Sequence, residues 1–328
     1  MTNNMTHKLS FRFDLSVVRP LVALMLMIVA MTFLSDKFAT SDNLFNVLRQ
    51  VSVNLCISVG MTLVILTGGI DLSVGSILAF SGAVAAGLYK SGIAFEGSDT
   101  FIGFTFFGAA LVAIAIGCAL GWFNGFMITR FNVPPFVATL AMLTMARGFT
   151  MLYTNGLPIT GLGSSFGYLG TGWFLGVPMP VWIAIAIVLI FGFFIKKSRT
   201  GRYIYAIGGN EKATRLSGIN VNRVKIIVYT LCGALCAVAG LLVTARLDSA
   251  QPNAGTGYEL DAIAAVVIGG TSMSGGKGSI AGTVVGALII AVLNNGLVLL
   301  NVSPFWQQVI KGLVILLAVI LDKFNSKK

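Results

Sequence analysis

Ten apolar stretches, each near the length that crosses a bilayer, follow one another along the chain at 18–34, 44–66, 71–89, 101–128, 134–153, 174–195, 225–246, 259–272, 279–300 and 304–321. About 20 residues of helix cross a hydrocarbon core, and a helix satisfies its own backbone there. The eighth stretch is short and reads as a broken or re-entrant helix. Only 10% of residues are charged and 56% are hydrophobic, with mean hydropathy +0.90, against about 25% charged in a soluble domain. Disorder, coiled coil and disulfide scaffolds are excluded. The expected fold is an all-α polytopic membrane protein of about ten transmembrane helices, with residues 1–328 as one transmembrane domain.

The 22 basic and 11 acidic residues leave a net charge of +11. They sit between apolar runs and not on a water-facing surface, which speaks against nucleic acid as a partner. Lys8, Arg12 and Arg19 stand at the N-terminus, and Asp322, Lys323, Lys327 and Lys328 end the chain. The 196–225 connection carries eight basic residues against Glu211 alone. Loop 154–173 has no charge, and 247–258 has only Asp248. The positive-inside rule then places both termini and the 196–225 loop in the cytoplasm. Six spans followed by four satisfy this, and an odd count does not. The first stretch resembles a signal peptide, yet no small-residue cleavage site follows, so an uncleaved first span is expected.

Chemistry is sparse. Cys56, Cys118, Cys232 and Cys236 lie in apolar runs, and His7 is the only histidine, so no metal site is expected. Gly270–Gly278 looks like a phosphate-binding loop. That loop needs Gly six residues before its Lys and Ser or Thr after it, and Thr271 and Gly278 occupy those places. Gly163, Ser165 and Gly167 fit a nucleophile elbow without the histidine an elbow requires. Gly117, Gly121 and Gly125, and likewise Gly278, Gly282 and Gly286, are four apart, which permits close helix approach. Packing within the subunit is the preferred reading of both series. Gly68-Gly69 with Ser73, and Gly269-Gly270 with Ser274, form an internal echo, read as two helix breaks built from similar small residues.

Asn54, Asp71, Arg147, Glu259, Asp261 and Asn294-Asn295 are polar groups in or beside spans, where such groups usually face a cavity or a partner. Asp71 is expected to cap the third span. In the 196–225 connection, Asn210 suits an N-cap, Glu211 the positive end of a helix, and Gly218 a C′ stop. A helix of about two turns between them is too short to stand alone and needs a neighbour.

Residues Tyr205–Gly218, Gly60–Gly75, Tyr258–Gly278, Asn294–Gly296 and Lys311–Val319 together resemble the hallmarks of permeases in the ribose-type group of ATP-binding-cassette importers, with coverage from about Leu44 to Asp322. The resemblance implies a bacterial inner-membrane permease subunit for a pentose or similar monosaccharide, working as a homodimer. Its partners would be a periplasmic sugar-binding protein and a cytoplasmic two-cassette ATPase. ATP and Mg would bind that ATPase, and this chain would hold no cofactor and catalyse nothing. Gly208, Gly209, Asn210, Glu211, Ala213, Arg215, Leu216, Ser217 and Gly218 would dock on the ATPase as a coupling loop. Asn54, Asp71, Ser73 and Asn294 are candidates for the sugar pathway, and Glu259 and Asp261 for contact with the binding protein. Phe95–Phe107, with Glu96 and Asp99, matches no hallmark. A carrier driven by an ion gradient is the alternative, opposed here by acidic residues falling at span ends; a membrane enzyme is the third reading.

Overall fold

A computed structural model describes residues 15–94 and 101–326. Lys8, Arg12, Lys327, Lys328, Glu96 and Asp99 lie outside the described residues, as do His7 and the Phe95 end of the unmatched segment. Helices α1 (Leu15–Leu34), α2 (Ser41–Leu66), α3 (Val74–Ser91), α4 (Phe106–Arg130), α5 (Pro135–Thr154), α6 (Gly163–Thr171) and α7 (Met179–Lys197) are followed by α8 (Arg199–Gly209), α9 (Glu211–Leu216), α10 (Val221–Leu247), α11 (Tyr258–Ile268), α12 (Ile280–Leu299) and α13 (Pro304–Ser326).

Local chemistry sets many of these boundaries. Thr40, Thr105 and Ser279 accept backbone N–H bonds from Asn43, Gly108 and Gly282, capping α2, α4 and α12, as short hydroxyl side chains do. Pro135 and Pro180 stand in the first turns of α5 and α7, where a missing N–H costs least. Asn155 and Asp248 turn left-handed to stop α5 and α10.

Each expected span contains a helix, and seven described helices are long and apolar enough to cross a membrane. At 1.5 Å per residue, the 11-residue α11 reaches only about 16 Å. The apolar parts of α1 and α13 cover 18–34 and 304–320. Three two-residue ladders lie in the connections of this helical bundle: Ile93–Ala94 (β1) with Phe101–Ile102 (β2), Ile159–Thr160 (β3) with Ser249–Ala250 (β6), and Trp173–Phe174 (β4) with Val177–Pro178 (β5). The β3–β6 pair ties the two charge-poor loops together. Asp248 reinforces it by accepting from the Leu162 and Gly163 N–H groups at 2.9 and 3.2 Å.

The bundle has a small-residue centre and an apolar rim. Helices α2, α3, α10 and α12 are mostly buried, whereas α4, α5 and α7 bury less than a third of their apolar length. Gly117 and Gly121 lie against Gly233, and Gly125 meets Ile226, which brings α4 onto α10 backbone to backbone. Gly282 and Gly286 do the same for α12 against Gly269 and Ala265 of α11 and its end. Both glycine series pack within the subunit. Outward-facing Leu111, Phe136, Phe149, Leu189 and Phe193 suit a hydrocarbon surround, because a water-facing surface of that kind would aggregate.

Candidate functional site

The basic connection folds into a helical hairpin. The Ser198 hydroxyl caps α8 by accepting the Gly201 N–H at 2.8 Å, and Gly201 lies against the Ile195 carbonyl. Gly201, Ile204 and Ile207 form the buried side of α8, the three-to-four spacing of a helix face. Asn210, in extended backbone, accepts the Ala213 N–H at 3.0 Å and caps α9. Gly218 follows at φ +81°, the left-handed stop. The Glu211 carboxylate accepts from Lys225 Nζ at 2.7 Å and Arg215 at 3.2 Å. Partial burial alone would raise its pKa, but the bond and charge of Lys225, then those of Arg215, hold it below the ordinary carboxylate value. Thr214 turns inward, while Lys212, Ala213, Arg215, Leu216 and Ser217 face out, Leu216 at 89% exposure.

A glycine seam holds this hairpin to the bundle. A side chain at Gly208 would run into the Leu66 carbonyl and the Gly276 N–H. That N–H donates to Leu66 at 3.0 Å. Gly275 abuts Gly208 and Gly68, and the Tyr205 hydroxyl donates to the Gly278 carbonyl at 2.8 Å. The phosphate-loop look-alike is therefore a packing loop: its Gly275 and Gly276 reach the end of α8, whereas Gly269 of the internal echo packs on Gly282 of α12. Beside the seam lies a cavity of about 420 Å³, lined by Gly68, Gly208, Asn210, Glu211, Lys225 and Tyr229 among others.

Asp71 lies deeper, in the α2–α3 link. Its Oδ1 accepts the N–H of Ser73 at 2.9 Å and also the Ser73 hydroxyl, and Asn124 Nδ2 donates to Ser73 Oγ at 2.9 Å. The Tyr229 hydroxyl reaches the Ile70 carbonyl at 3.4 Å. The N-cap position of α3 is Ser73 and not Asp71, whose carboxylate instead closes the preceding turn. Asn124 stands six residues from the end of α4, and Tyr229 eight from the start of α10, about 9–12 Å along each axis. Asp71 is thus fully buried by the bundle although it lies in the link between two spans. Irregular backbone within a membrane protein persists when protein covers it.

The remaining candidates separate. Asp261 is 4% exposed and pairs with Lys311 Nζ at 3.0 Å, with Asn294 Nδ2 at 3.4 Å. It ties α11, α12 and α13 together, so it is not an outer docking residue. Glu259 is half-buried and reaches toward Gly75. Asn54 is buried in α2, twelve residues before Leu66. The expected pathway set therefore splits into Asp71 with Ser73, Asn294 with Asp261, and Asn54 elsewhere. Asn124, Tyr229 and Lys311 join these sites although no sequence motif singles them out as site residues. A polar Asn beside the Gly117–Gly125 stripe and a cation inside an apolar run were the available signals. Arg147 donates to the Pro252 and Ala254 carbonyls. Among the described residues, no group of three or more His, Cys, Asp or Glu side chains is placed to hold a metal ion.

Comparison with known proteins adds an independent line. A family model described as the permease component of the branched-chain amino acid transport system matches residues 43–319. The chain is 54% identical to the ribose import permease of Escherichia coli strain K12 over 314 residues, 94% of each chain. It is 49% identical to the ribose import permease of Bacillus subtilis strain 168 over 309 residues, 94% of this chain and 92% of the relative. Identity to the xylose transport system permease of Haemophilus influenzae is 35%, over 96% of this chain and all of the relative. No solved structure matches it.

Proposed function

The chain belongs to the family described as the permease component of the branched-chain amino acid transport system, and from that membership we propose that it imports ribose or a similar monosaccharide as part of an ATP-driven system. It is a multi-pass membrane permease, a transport component. The family description names a different cargo. Half or more of the residues shared with a ribose permease, across nearly the whole chain, favour the sugar.

In this reading the ten helical stretches span the bacterial inner membrane, with α11 as a short, broken span. Both termini and the α8–α9 hairpin face the cytoplasm. A periplasmic binding protein delivers the sugar, a second copy of the chain completes the pathway, and a separate two-cassette ATPase binds ATP and Mg. The observation that carries the mechanism is α9 itself. A capped helix under two turns long, with Leu216 exposed, hangs on a glycine seam that admits no side chain. An apolar residue held out on a rigid mount suits insertion into a partner's groove. The seam joins that mount to the α2–α3 link, so cassette closure would reach Asp71, Ser73 and Asn124. Glu259 remains the candidate for binding-protein contact.

Uptake of labelled ribose by cells lacking the chain, restored with it, tests the cargo. Competition by unlabelled ribose, with weaker competition by xylose and none by leucine, is expected. Competition by leucine but not ribose would return the assignment to amino acids.

A further inference from the structure

The basic residues of the 196–225 connection do not form one patch. Glu211 engages Lys225 and Arg215. Lys196, Lys197, Arg199 and Arg202 gather at the α7–α8 corner, all four exposed. Among the described residues, the ion pairs join only Glu211 to Arg215 and Lys225, and Asp261 to Lys311. Among the described residues, the corner therefore holds four cations without a carboxylate ion-paired to them. Arg202 donates to the Lys197 carbonyl at 3.4 Å, folding its guanidinium over the end of α7. The turn is tight because Gly201 sits on the Ile195 carbonyl, and that tightness brings two cations from each helix together.

The position of the corner is set by α7. Leu189, Ile190 and Phe193 face outward along its second half. Near its other end Trp182 donates to the Phe174 carbonyl at 3.0 Å, beside exposed Trp173 and Phe174. Aromatic rings of this kind settle at a membrane–water boundary. The 19 residues of α7 measure about 28 Å, close to the roughly 30 Å hydrocarbon core. With the aromatic end at one boundary, Lys196 and Lys197 arrive at the phosphate level of the other.

We infer that the α7–α8 corner is a binding site for the phosphate-bearing headgroup of an anionic phospholipid. Two ammonium groups supply point charge, and two guanidinium groups supply forked donors that match phosphate oxygens. A zwitterionic headgroup brings its own cation and is the poorer ligand. The bound lipid would brace the root of α8, from which α9 hangs.

Lipid selectivity of the full chain tests this. The chain is purified from mixed micelles holding equal phosphatidylglycerol and phosphatidylcholine, and retained lipid is measured by native mass spectrometry. The wild-type chain should retain phosphatidylglycerol preferentially, and high salt should reduce the excess. Replacing all four residues by Gln should cut the preference at least tenfold, since each basic group near an anionic surface is worth roughly fivefold. Replacing Lys212, on the outward side of α9, should leave it unchanged, and Lys196→Arg with Lys197→Arg should keep it. Circular dichroism checks that the four-Gln chain is folded; if it is not, the Arg199→Gln/Arg202→Gln pair is scored and should lose part of the preference. Equal retention of both lipids by the wild-type chain would overturn the inference. So would an undiminished preference in the folded Gln chains, or displacement of the lipid by inorganic phosphate.

Discussion

Gly208 and Gly209 are neighbours with opposite tolerances. A Cβ at Gly208 collides with the backbone of Leu66 and Gly276, whereas one at Gly209 meets nothing within 4 Å. Gly208→Val should therefore lower membrane levels and melting temperature, while Gly209→Ala should change stability by about 0.5 kcal/mol or less. Thermal unfolding of the two purified variants checks the contrast, and equal losses would contradict the seam. Gly218 differs again: its surroundings are open, but its φ of +81° is left-handed. A β-branched residue there carries roughly 1–3 kcal/mol of strain, released by reorienting α9. Gly218→Val should leave the chain in the membrane and the partner ATPase active while uptake falls several-fold. Normal uptake would refute the coupling role of the loop.

At the scale of elements, α9 was legible because caps are local chemistry: Asn210, Glu211 and Gly218 announce a helix by residue type alone. Asn210→Ala should cost the hairpin about 1 kcal/mol, read as faster amide exchange over 211–216. The pH response follows from Glu211, whose carboxyl is held below its unfolded value. Its contribution is present at neutral pH and is lost as pH falls through that depressed value. Amide protection of α9 should drop on acidification below the ordinary carboxylate range, and Glu211→Gln should remove that dependence. The α8 helix was less legible. It ends in Gly208-Gly209, which reads as loop until its tertiary partners are known. The burial of Asp71 was hidden for a related reason. Hydropathy marks where an apolar run begins, but the place where α3 starts beside α4 and α10 depends on Ser73, Asn124 and Tyr229 meeting from three separate segments.

For the whole molecule, the apolar pattern foretold a helical bundle, and its small residues foretold close packing. Which helices form the centre was not written in the pattern, because α4 and α7 are more hydropathic than the buried α2 and α3. Orientation is a separate expectation. A cysteine at Arg215 should react with a membrane-impermeant thiol reagent only from inside, and one at Leu157 only from outside. Asp71, fully buried in the α2–α3 link, is the acidic side chain that an ion-driven carrier would use. The energy source therefore decides the account. The most direct measurement is ribose uptake by intact cells as ATP and the proton gradient are collapsed separately. Uptake that stops on ATP depletion and persists with an uncoupler is the expected result. Uptake that survives ATP depletion and collapses with the uncoupler would contradict an ATP-driven permease.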